Sequence, residues 1–228
     1  MADLTPENYW PLGSTVQETT FNDNLLTDKY RHFGLISANP LNGHLVIIYR
    51  RGTMHVGDCG DIVIRHSSDG GTNWDEEEFV YSESGQGYDV RTAGGGYDSN
   101  GRLFIFFSTY DPSPPDTDYW VAMKYIYSNN DGAIWLPSST NPPYIVHVTL
   151  NKDVSGSGEI NTRFNPYGHI VDVGNNILYQ TWFGGVPVTG APSLYRIYLY
   201  KSTDGGLSFP TIITVNPYPA PRQPWGEA

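Results

Sequence analysis

The sequence predicts an all-β protein whose short strands are joined by turns, and three observations support this fold class. Its 228 residues include 17 Tyr, 9 Phe and 6 Trp, which favour strands, and 25 Gly and 17 Pro, which favour turns. No stretch of about 12 residues carries the sustained three-and-four apolar spacing of an amphipathic helix. A short repeat also recurs three times, each time between two strand-like segments.

The three copies of this repeat are HSSDGGTNW (66–74), YSNNDGAIW (127–135) and YKSTDGGLSF (200–209), called box 1, box 2 and box 3 below. They align as Ser-x-Asp/Asn-x-Gly-x-x-aromatic, and their position between strands predicts the tip of a hairpin. A short Asp or Asn side chain accepts hydrogen bonds from its own turn, and glycine tolerates the positive φ that such turns need. We therefore interpret the boxes as turn-stabilising devices and look for the reaction centre elsewhere.

The boxes resemble the Asp-box of the BNR repeat, which is found in sialidases and related β-propellers. Box 2 departs mildly from that pattern, because Asn130 replaces Asp but keeps the acceptor oxygen. The resemblance implies a β-propeller of four-stranded antiparallel blades, six in a sialidase. We expect one domain over 1–228, the N-terminal half of such a propeller, with a strand that closes the ring in 1–28. Further chain segments or subunits would complete it.

Twelve strand segments fit three blades, each wrapped around one box. Blade one takes RHFGLIS (31–37), HLVIIYR (44–50), DIVIRHS (61–67) and EEFVYS (77–82). Blade two takes VRTAGGGYD (90–98), RLFIFFSTY (102–110), YWVAMKYIYS (119–128) and YIVHVTL (144–150). Blade three takes RFNPYGHIVDV (163–173), NILYQTWF (176–183), LYRIYLYKS (194–202) and TIITV (211–215), and a fourth blade barely begins.

The connections between these segments differ in length between the two ends of the sheets. First-to-second turns are tight, as in NPLNG, DSNG and GNN, and they share one end with the boxes. The second-to-third loops RGTMHVGDCG, YDPSPPDTD and GGVPVTGAPS are long, as are the crossings ESGQGYD and NKDVSGSGEINT. Long irregular loops are where proteins commonly carry function. The functional end is therefore predicted to be the one opposite the boxes.

The innermost strands begin at this functional end with Arg31, Arg91 and Arg163, and Glu227 opens the fourth blade. Burying three arginines and a carboxylate near one axis is costly without partners. One interpretation is a pocket for an acidic ligand, since a guanidinium binds a carboxylate through two parallel hydrogen bonds. The alternative is that these arginines pair with nearby Asp and Glu residues or line a wet channel.

The sialidase resemblance assigns roles to the first of these residues. YRHFGLI is similar to the family's Phe/Tyr-Arg-Ile-Pro motif at Tyr30 and Arg31, although it lacks the Ile-Pro. The family continues with a second-strand arginine, for which Arg50 and Arg51 both qualify. The three clamp arginines of the family hold the carboxylate of the sugar.

The same resemblance implies an acid/base aspartate in the following loop, either Asp58 or Asp61. Asp58 is preferred, because Asp61 is expected to begin the next strand. Glu227 falls where the family places the base of its tyrosine nucleophile, in the retaining mechanism that departs from the two-carboxylate pattern. The family's other arginines and its tyrosine come after such a glutamate, so this chain alone is expected to be inactive.

Composition excludes several other classes. A net charge of −11 argues against nucleic acid and anionic membranes as partners. One cysteine excludes an intrachain disulfide, and the six histidines lack metal-ligand spacing, so no metal or cofactor is expected. No signal peptide is visible, and no run approaches the about 18–20 apolar residues of a membrane span. A secreted, cell-surface or virion-associated location would need another export or assembly route.

Two functions of different class follow. The first is a sialidase-like glycoside hydrolase, or its N-terminal portion, that recognises sialylated, acidic glycans. The second is a non-catalytic glycan- or receptor-binding propeller, for example of a viral tail or a cell-surface module. A purely structural propeller is a third.

Overall fold

The computed structural model describes residues 30–54, 58–112, 119–137, 143–148, 164–188 and 191–215. Within these ranges the regular elements are twelve β-strands and one short 3-10 turn at Ser84–Gln86. The strands are β1 (Tyr30–Ala38), β2 (Leu45–Gly52), β3 (Asp61–Ser67), β4 (Glu78–Ser82), β5 (Asp89–Tyr97), β6 (Leu103–Asp111), β7 (Tyr119–Ser128), β8 (Tyr144–Val148), β9 (Phe164–Asp172), β10 (Leu178–Val188), β11 (Ala191–Ser202) and β12 (Thr211–Thr214). The all-β prediction is confirmed for the described residues, and each of the twelve segments predicted for the three blades overlaps one of these strands.

The strands form three antiparallel meanders, called unit 1 (β1–β4), unit 2 (β5–β8) and unit 3 (β9–β12). Unit 1 is a separate four-stranded sheet. Units 2 and 3 join through one parallel pairing, between Gly95 of β5 and His169 of β9. The Tyr97 N–H of β5 also donates to Ser37 Oγ of β1 at 3.1 Å. The first strands of the units therefore lie side by side, and the sheets of the described residues do not close on themselves.

Each unit has two faces that can be named from the serine of its box, which ends the third strand. The forward face carries the third-strand residues three and five positions before that serine, and the backward face carries those two and four positions before it. Side chains alternate between the two faces along every strand, and residues paired across neighbouring strands lie on the same face. The forward and backward faces can therefore be followed across each sheet. Packing joins the forward face of one unit to the backward face of the next.

Two cores fill the spaces between the units. The first lies between units 1 and 2 and consists of Leu35, Val46, Ile48, Ile62, Ile64, Val90, Tyr97, Leu103, Ile105, Phe107 and Ile126. The second lies between units 2 and 3 and consists of Phe104, Phe106, Met123, Tyr125, Tyr127, Ile170, Leu178, Trp182, Tyr198, Tyr200 and Phe209. Unit 2 is thus apolar on both faces, which explains why β6 begins with the unbroken apolar run LFIFF.

Aromatic rings pack closely against one another in the second core. Phe106 and Tyr125 stack with their centroids 5.2 Å apart. Trp182 meets Phe106 edge-on at 6.1 Å and 88°, and Phe209 of box 3 meets Phe106 in the same way at 5.2 Å. Offset and edge-to-face pairs of this kind add to the stabilisation from burial. The terminal aromatic of box 3 is thereby packed into the core between units 2 and 3.

The three boxes form the same hydrogen-bonded turn. In box 1 the Ser67 Oγ accepts the Gly71 N–H at 2.9 Å and donates to Asp69 Oδ1 at 2.9 Å. That carboxylate oxygen also accepts the backbone N–H four residues further on, at 2.9 Å. The corresponding bonds in boxes 2 and 3, centred on Asn130 and Asp204, measure 2.7–3.0 Å. The boxes therefore act as turn staples, and an amide oxygen serves as well as a carboxylate.

Box 2 holds an aspartate where the other boxes hold glycine. Asp131 has φ +56°, whereas Gly70 and Gly205 at the equivalent positions have φ +73° and +72°. This left-handed conformation costs about 1–2 kcal/mol in a residue that has a Cβ. A compensating interaction is therefore expected for Asp131.

That compensation comes from the β1–β2 turn of unit 1. Asp131 accepts hydrogen bonds from Asn39 Nδ2 at 2.6 Å and Asn42 Nδ2 at 3.1 Å, and from the Tyr97 hydroxyl at 2.8 Å. His44 Nδ1 lies 3.7 Å from Asp131 Oδ2. Box 2 is thus attached to the neighbouring unit through a side chain that glycine would not provide.

One predicted loop is not a loop. The segment GGVPVTGAPS was expected to connect β10 and β11 irregularly, but the two strands stay paired almost to their tips, out to Val188 and Ala191. Gly184, Gly185 and Val186 pair in register with residues of β11, so backbone pairing continues where composition indicated a turn. The predicted strand in residues 1–28 and the crossing at 151–162 lie outside the described residues.

If hydrogen bonds stabilise the box turn, different substitutions of Asp204 should lower the free energy of unfolding by different amounts. We expect Asp204→Ala to lower the free energy of unfolding by about 1–2 kcal/mol, because the turn N–H and Ser202 lose their acceptor. Asp204→Asn should cost less than half as much, since Asn130 performs this role in box 2. Urea unfolding of both variants would measure the difference. Equal losses for Ala and Asn would show that charge, not hydrogen-bond geometry, stabilises the turn.

Asp131 should make an acid-sensitive contribution. Burial alone would raise its pKa, but hydrogen bonds from Tyr97, Asn39 and Asn42 lower it below the ordinary value. A lowered native pKa adds stability above the unfolded pKa of about 3.9, and this stability is lost as the pH falls through the native value.

We therefore expect Asp131→Gly to destabilise the protein at pH 7 by about 1 kcal/mol, since the lost bonds outweigh the relieved φ. The deficit should shrink below pH 4. Thermal unfolding at both pH values measures it, and a variant more stable than wild type at pH 7 would contradict the compensation.

Candidate functional site

The loop face is the end of the sheets where β1, β3 and β5 begin, opposite the boxes. Five of the predicted site residues lie there within the described residues: Arg31, Arg50, Asp58, Asp61 and Arg91. Arg163 and Glu227 lie outside them. The structure divides the five into separate groups, because neighbouring residues of one strand point to opposite faces of the sheet.

Arg50 is the centre of a buried charged cluster on the forward face of unit 1. Only 1% of the residue is exposed. Its Nε and Nη2 donate to the buried Asp89 Oδ1 at 3.1 and 2.8 Å, and Nη2 also contacts Asp58 Oδ1. Nη1 donates to the Met54 carbonyl at 3.0 Å and lies 3.0 Å from His32 Nε2. One guanidinium thus connects the β2–β3 loop, β1 and the start of β5.

Asp58 closes the β2–β3 loop back on itself. Its Oδ2 accepts the Met54 N–H and the Thr53 hydroxyl, each at 2.9 Å, and also contacts the Thr53 N–H. Asp89 extends the cluster by accepting the Gly60 N–H at 2.8 Å. Thr53, Met54 and Gly60 of this loop are therefore held by two carboxylates bound to one arginine.

Two glycines allow the guanidinium to fit. A Cβ on Gly52 would lie 2.6 Å from Arg50 Nη1 and from Asp58 Oδ2. A Cβ on Gly60 would lie 2.5 Å from Arg50 Cζ. Neither glycine has a positive φ, so close approach, not backbone conformation, requires glycine at both positions.

The protonation state of the loop follows from these contacts. Burial alone would raise the pKa of Asp58, but the Met54 N–H, the Arg50 guanidinium and the Thr53 hydroxyl lower it overall. Asp58 is therefore ionised at neutral pH, which suits ion pairing better than proton donation. Burial and the carboxylates of Asp89 and Asp58 raise the pKa of the Cys59 thiol, so a thiolate nucleophile is not favoured there.

Arg31 belongs to a second network, on the backward face of unit 1. Its Nε donates to Glu77 Oε2 at 2.9 Å, and Arg51 Nη1 donates to Glu77 Oε1 at 2.7 Å. Arg51 also binds Asp61 at 2.7 Å, at the first residue of β3, where a strand start was expected. The two arginines considered for the second strand thus have different surroundings: Arg50 is in the buried cluster and Arg51 is in this network.

Tyr49 completes this network without being activated by it. Its hydroxyl donates to Glu77 Oε2 at 2.8 Å and accepts from Arg65 Nε at 3.0 Å. Burial and the contact with Glu77 raise the pKa of Tyr49 to about 12, although Arg65 opposes the change. Glu77 itself has a lowered pKa: burial alone would raise it, and Arg51, Tyr49 and Arg31 lower it. The phenol stays protonated, so this tyrosine–glutamate pair stabilises the sheet rather than supplying a nucleophile.

Arg91 occupies a third position, with its guanidinium 5.5 Å from the centre of the Tyr110 ring. The sequence pointed to the arginines but missed their main acceptors, Asp89 and Glu77. Both were hidden because they come from other segments: Asp89 opens β5, and Glu77 precedes β4. The only available signal was that each is an acidic residue at a strand start.

Within the same described ranges, no group of three or more His, Cys, Asp or Glu side chains is arranged to hold a metal ion. That part of the chain also contains no helix long and apolar enough to cross a membrane.

No protein-family model and no curated protein sequence matches this chain. Solved structures do match it. A protein of unknown function from Dyadobacter fermentans is 17% identical with a TM-score of 0.61. The Hadza microbial sialidase Hz136 is 14% identical with a TM-score of 0.59. An α-L-arabinanase of Penicillium chrysogenum, solved with arabinobiose, is 16% identical with a TM-score of 0.51.

These matches cover 81%, 82% and 79% of this chain but 53%, 37% and 48% of the three structures, in the same order. The chain therefore spans about half of their length or less. The sialidase and the arabinanase have propeller-type folds, so the likeness establishes a fold shared with glycan-active proteins.

Close packing of Gly60 against Arg50 gives a direct test of the buried cluster. We expect Gly60→Ala to lower the free energy of unfolding by about 1–3 kcal/mol, the usual cost of overpacking. Gly85→Ala is the matched control, because a Cβ there would meet nothing within 4 Å. Chemical unfolding of both variants would decide, and a harmless Gly60→Ala would mean that Arg50 is free to move aside.

Proposed function

We propose that this chain is part of a glycan-active propeller of sialidase type, whose loop face recognises sialylated, acidic glycans. The observation that carries this proposal is a buried arginine with two aspartates at the loop face of a fold shared with a sialidase. In this proposal units 1–3 are three four-stranded blades, and further chain segments or subunits complete the ring.

The proposed roles follow the sialidase resemblance, applied to residues at the loop face. Arg31 and Arg91 at the strand starts, together with Arg163, bind the carboxylate of the sugar, because paired guanidinium hydrogen bonds suit that group. Arg50 and Asp58 hold the β2–β3 loop beside this pocket, with Asp58 as the acid/base residue if the site is hydrolytic. Asp61, bound to Arg51, is the less favoured alternative. Glu227 would be the base of the nucleophile.

A second candidate, glycan binding without hydrolysis, is favoured by one observation. The pKa of Asp58 is lowered by its hydrogen bonds to Met54, Arg50 and Thr53. A general acid needs a proton near the operating pH, and this aspartate has none while Arg50 and the loop N–H groups hold it. Hydrolysis would therefore require substrate to weaken those contacts.

Arg31 is the residue at which recognition is tested. We expect Arg31→Lys and Arg31→Ala each to weaken binding of sialic acid by about 1.5–3 kcal/mol, since lysine keeps the charge but loses the paired geometry. Binding of a neutral hexose should hardly change. Calorimetric titration with both sugars measures these affinities. Arg102→Lys is the control, because Arg102 pairs with Asp98 on the box side of unit 2.

Two outcomes would reject this role. Equal losses for both sugars, or no loss for either, would make Arg31 a structural partner of Glu77 only. A fluorogenic sialoside assay on the 228-residue chain adds a one-sided test: the chain alone is expected to be inactive, so release of the aglycone would favour hydrolysis over binding alone.

A further inference from the structure

We infer that Tyr110 is a positioning residue for Arg91, and that its ring orients the guanidinium group toward the carboxylate of an acidic sugar. The inference rests on the proposed function, in which Arg91 binds that carboxylate. It starts from the contact between the two side chains, because Arg91 Cζ lies 5.5 Å from the centre of the Tyr110 ring. A cation within about 6 Å of a ring centre is attracted to the face of the ring.

The register of unit 2 brings the two side chains together. Asp89 of β5 pairs with Tyr110 of β6, and Arg91 pairs with Ser108. Arg91 and Tyr110 are therefore diagonal neighbours across the strand pair, a separation that a long side chain and an aromatic ring can bridge. Ser108 is small and fully buried. The residue directly opposite Arg91 thus leaves room for its side chain to reach the ring.

Both residues lie next to an irregularity of the sheet. The register of β5 and β6 shifts between Arg91 and Gly94, and that of β6 and β7 shifts between Thr109 and Tyr110. Bulges redirect side chains and are common beside functional sites. Only 9% of Tyr110 is exposed. Its ring is therefore held by the surrounding protein and offers Arg91 a fixed surface.

A ring constrains an arginine differently from a carboxylate. Arg31 donates Nε to Glu77, and Arg50 donates Nε and Nη2 to Asp89. Each of these contacts occupies N–H donors and brings a negative charge to the guanidinium group. The ring contact at Arg91 brings no such charge, and a guanidinium group has five N–H donors in its plane. The ring therefore adds a constraint on position without competing with the carboxylate of a ligand.

Orientation of this kind should act on specificity. A side chain that is already held in its binding position loses less freedom when a ligand arrives. The paired hydrogen bonds between guanidinium and carboxylate also depend on geometry more than on charge alone. We therefore expect Tyr110 to affect the affinity for acidic sugars and not for neutral ones, and to do so only through Arg91.

The test is calorimetric titration of the full chain and its variants with sialic acid and with a neutral hexose. Tyr110→Phe keeps the ring and should bind sialic acid within about twofold of wild type. Tyr110→Leu removes the ring and should weaken sialic acid about threefold to tenfold, with no change for the hexose. Tyr110→Met is the second ring-free variant if leucine does not fold, because an unbranched thioether fills irregular space.

A double-mutant cycle separates positioning from a general effect on the loop face. In an Arg91→Ala background, Tyr110→Leu should change sialic acid affinity by less than about twofold. Tyr179→Leu is the matched control, because the Tyr179 ring makes the same kind of contact with Lys201 Nζ, at 5.8 Å beside box 3. It should leave both affinities unchanged. Circular dichroism of each variant verifies that the fold is retained.

Three results would overturn the role of Tyr110 and leave the proposed function standing. The first is a loss of affinity in Arg91→Ala with none in either ring-free variant. The second is an equal loss in Tyr110→Phe and Tyr110→Leu, which would assign the effect to the hydroxyl. The third is a loss in Tyr110→Leu that persists in the Arg91→Ala background or extends to the hexose. A wild-type chain that does not bind sialic acid would instead reject the proposed function, and the role of Tyr110 with it.

Discussion

The rest of the structure depends on the face-to-face packing of sheets that are apolar on both sides. A sheet with one apolar face is satisfied by one neighbour, but unit 2 buries Phe106 and Tyr125 on one side and Phe107 and Ile126 on the other. Burial of apolar area is the dominant favourable term in folding. Unit 2 therefore covers one face of unit 1 and one face of unit 3 at the same time.

Hydrogen-bonded turns preserve this packing by setting the register of each hairpin. The serine of each box ends the third strand and begins the turn, so the inward and outward faces of that strand are fixed relative to the staple. Box 2 departs from this pattern at Asp131, which replaces glycine. Asp131 adopts a costly backbone conformation, and its carboxylate accepts a hydrogen bond from Asn39 of unit 1. The boxes lie at one end of the sheets, which leaves the other end available for function.

At that other end, charge is buried only where it is neutralised. Arg50 has two carboxylates around it, and Arg31 and Arg51 share Glu77. An unpaired buried charge is far more costly than a paired one, so the acidic partners come from neighbouring segments as a condition of folding. The same pairing keeps Asp58 ionised. The arrangement that stabilises the loop face thus also determines which chemistry its aspartate can perform.

The sequence by itself determined the strands, the boxes and the end of the sheets at which function is expected, because these depend on local properties: apolar runs, turn residues and loop lengths. Its assignments hold for the twelve described strands, and the error in the predicted β10–β11 loop arose because backbone pairing between the two strands, out to Val188 and Ala191, outweighs a turn-like composition. Only the tertiary structure decided which arginines meet which acids. Arg50 and Arg51 are neighbours in sequence, yet the alternation of side chains along β2 sends one to Asp58 and Asp89 and the other to Glu77 and Asp61. Partners that lie 26 or 39 residues away in the chain are set by how the sheets pack, and no local pattern carries that information.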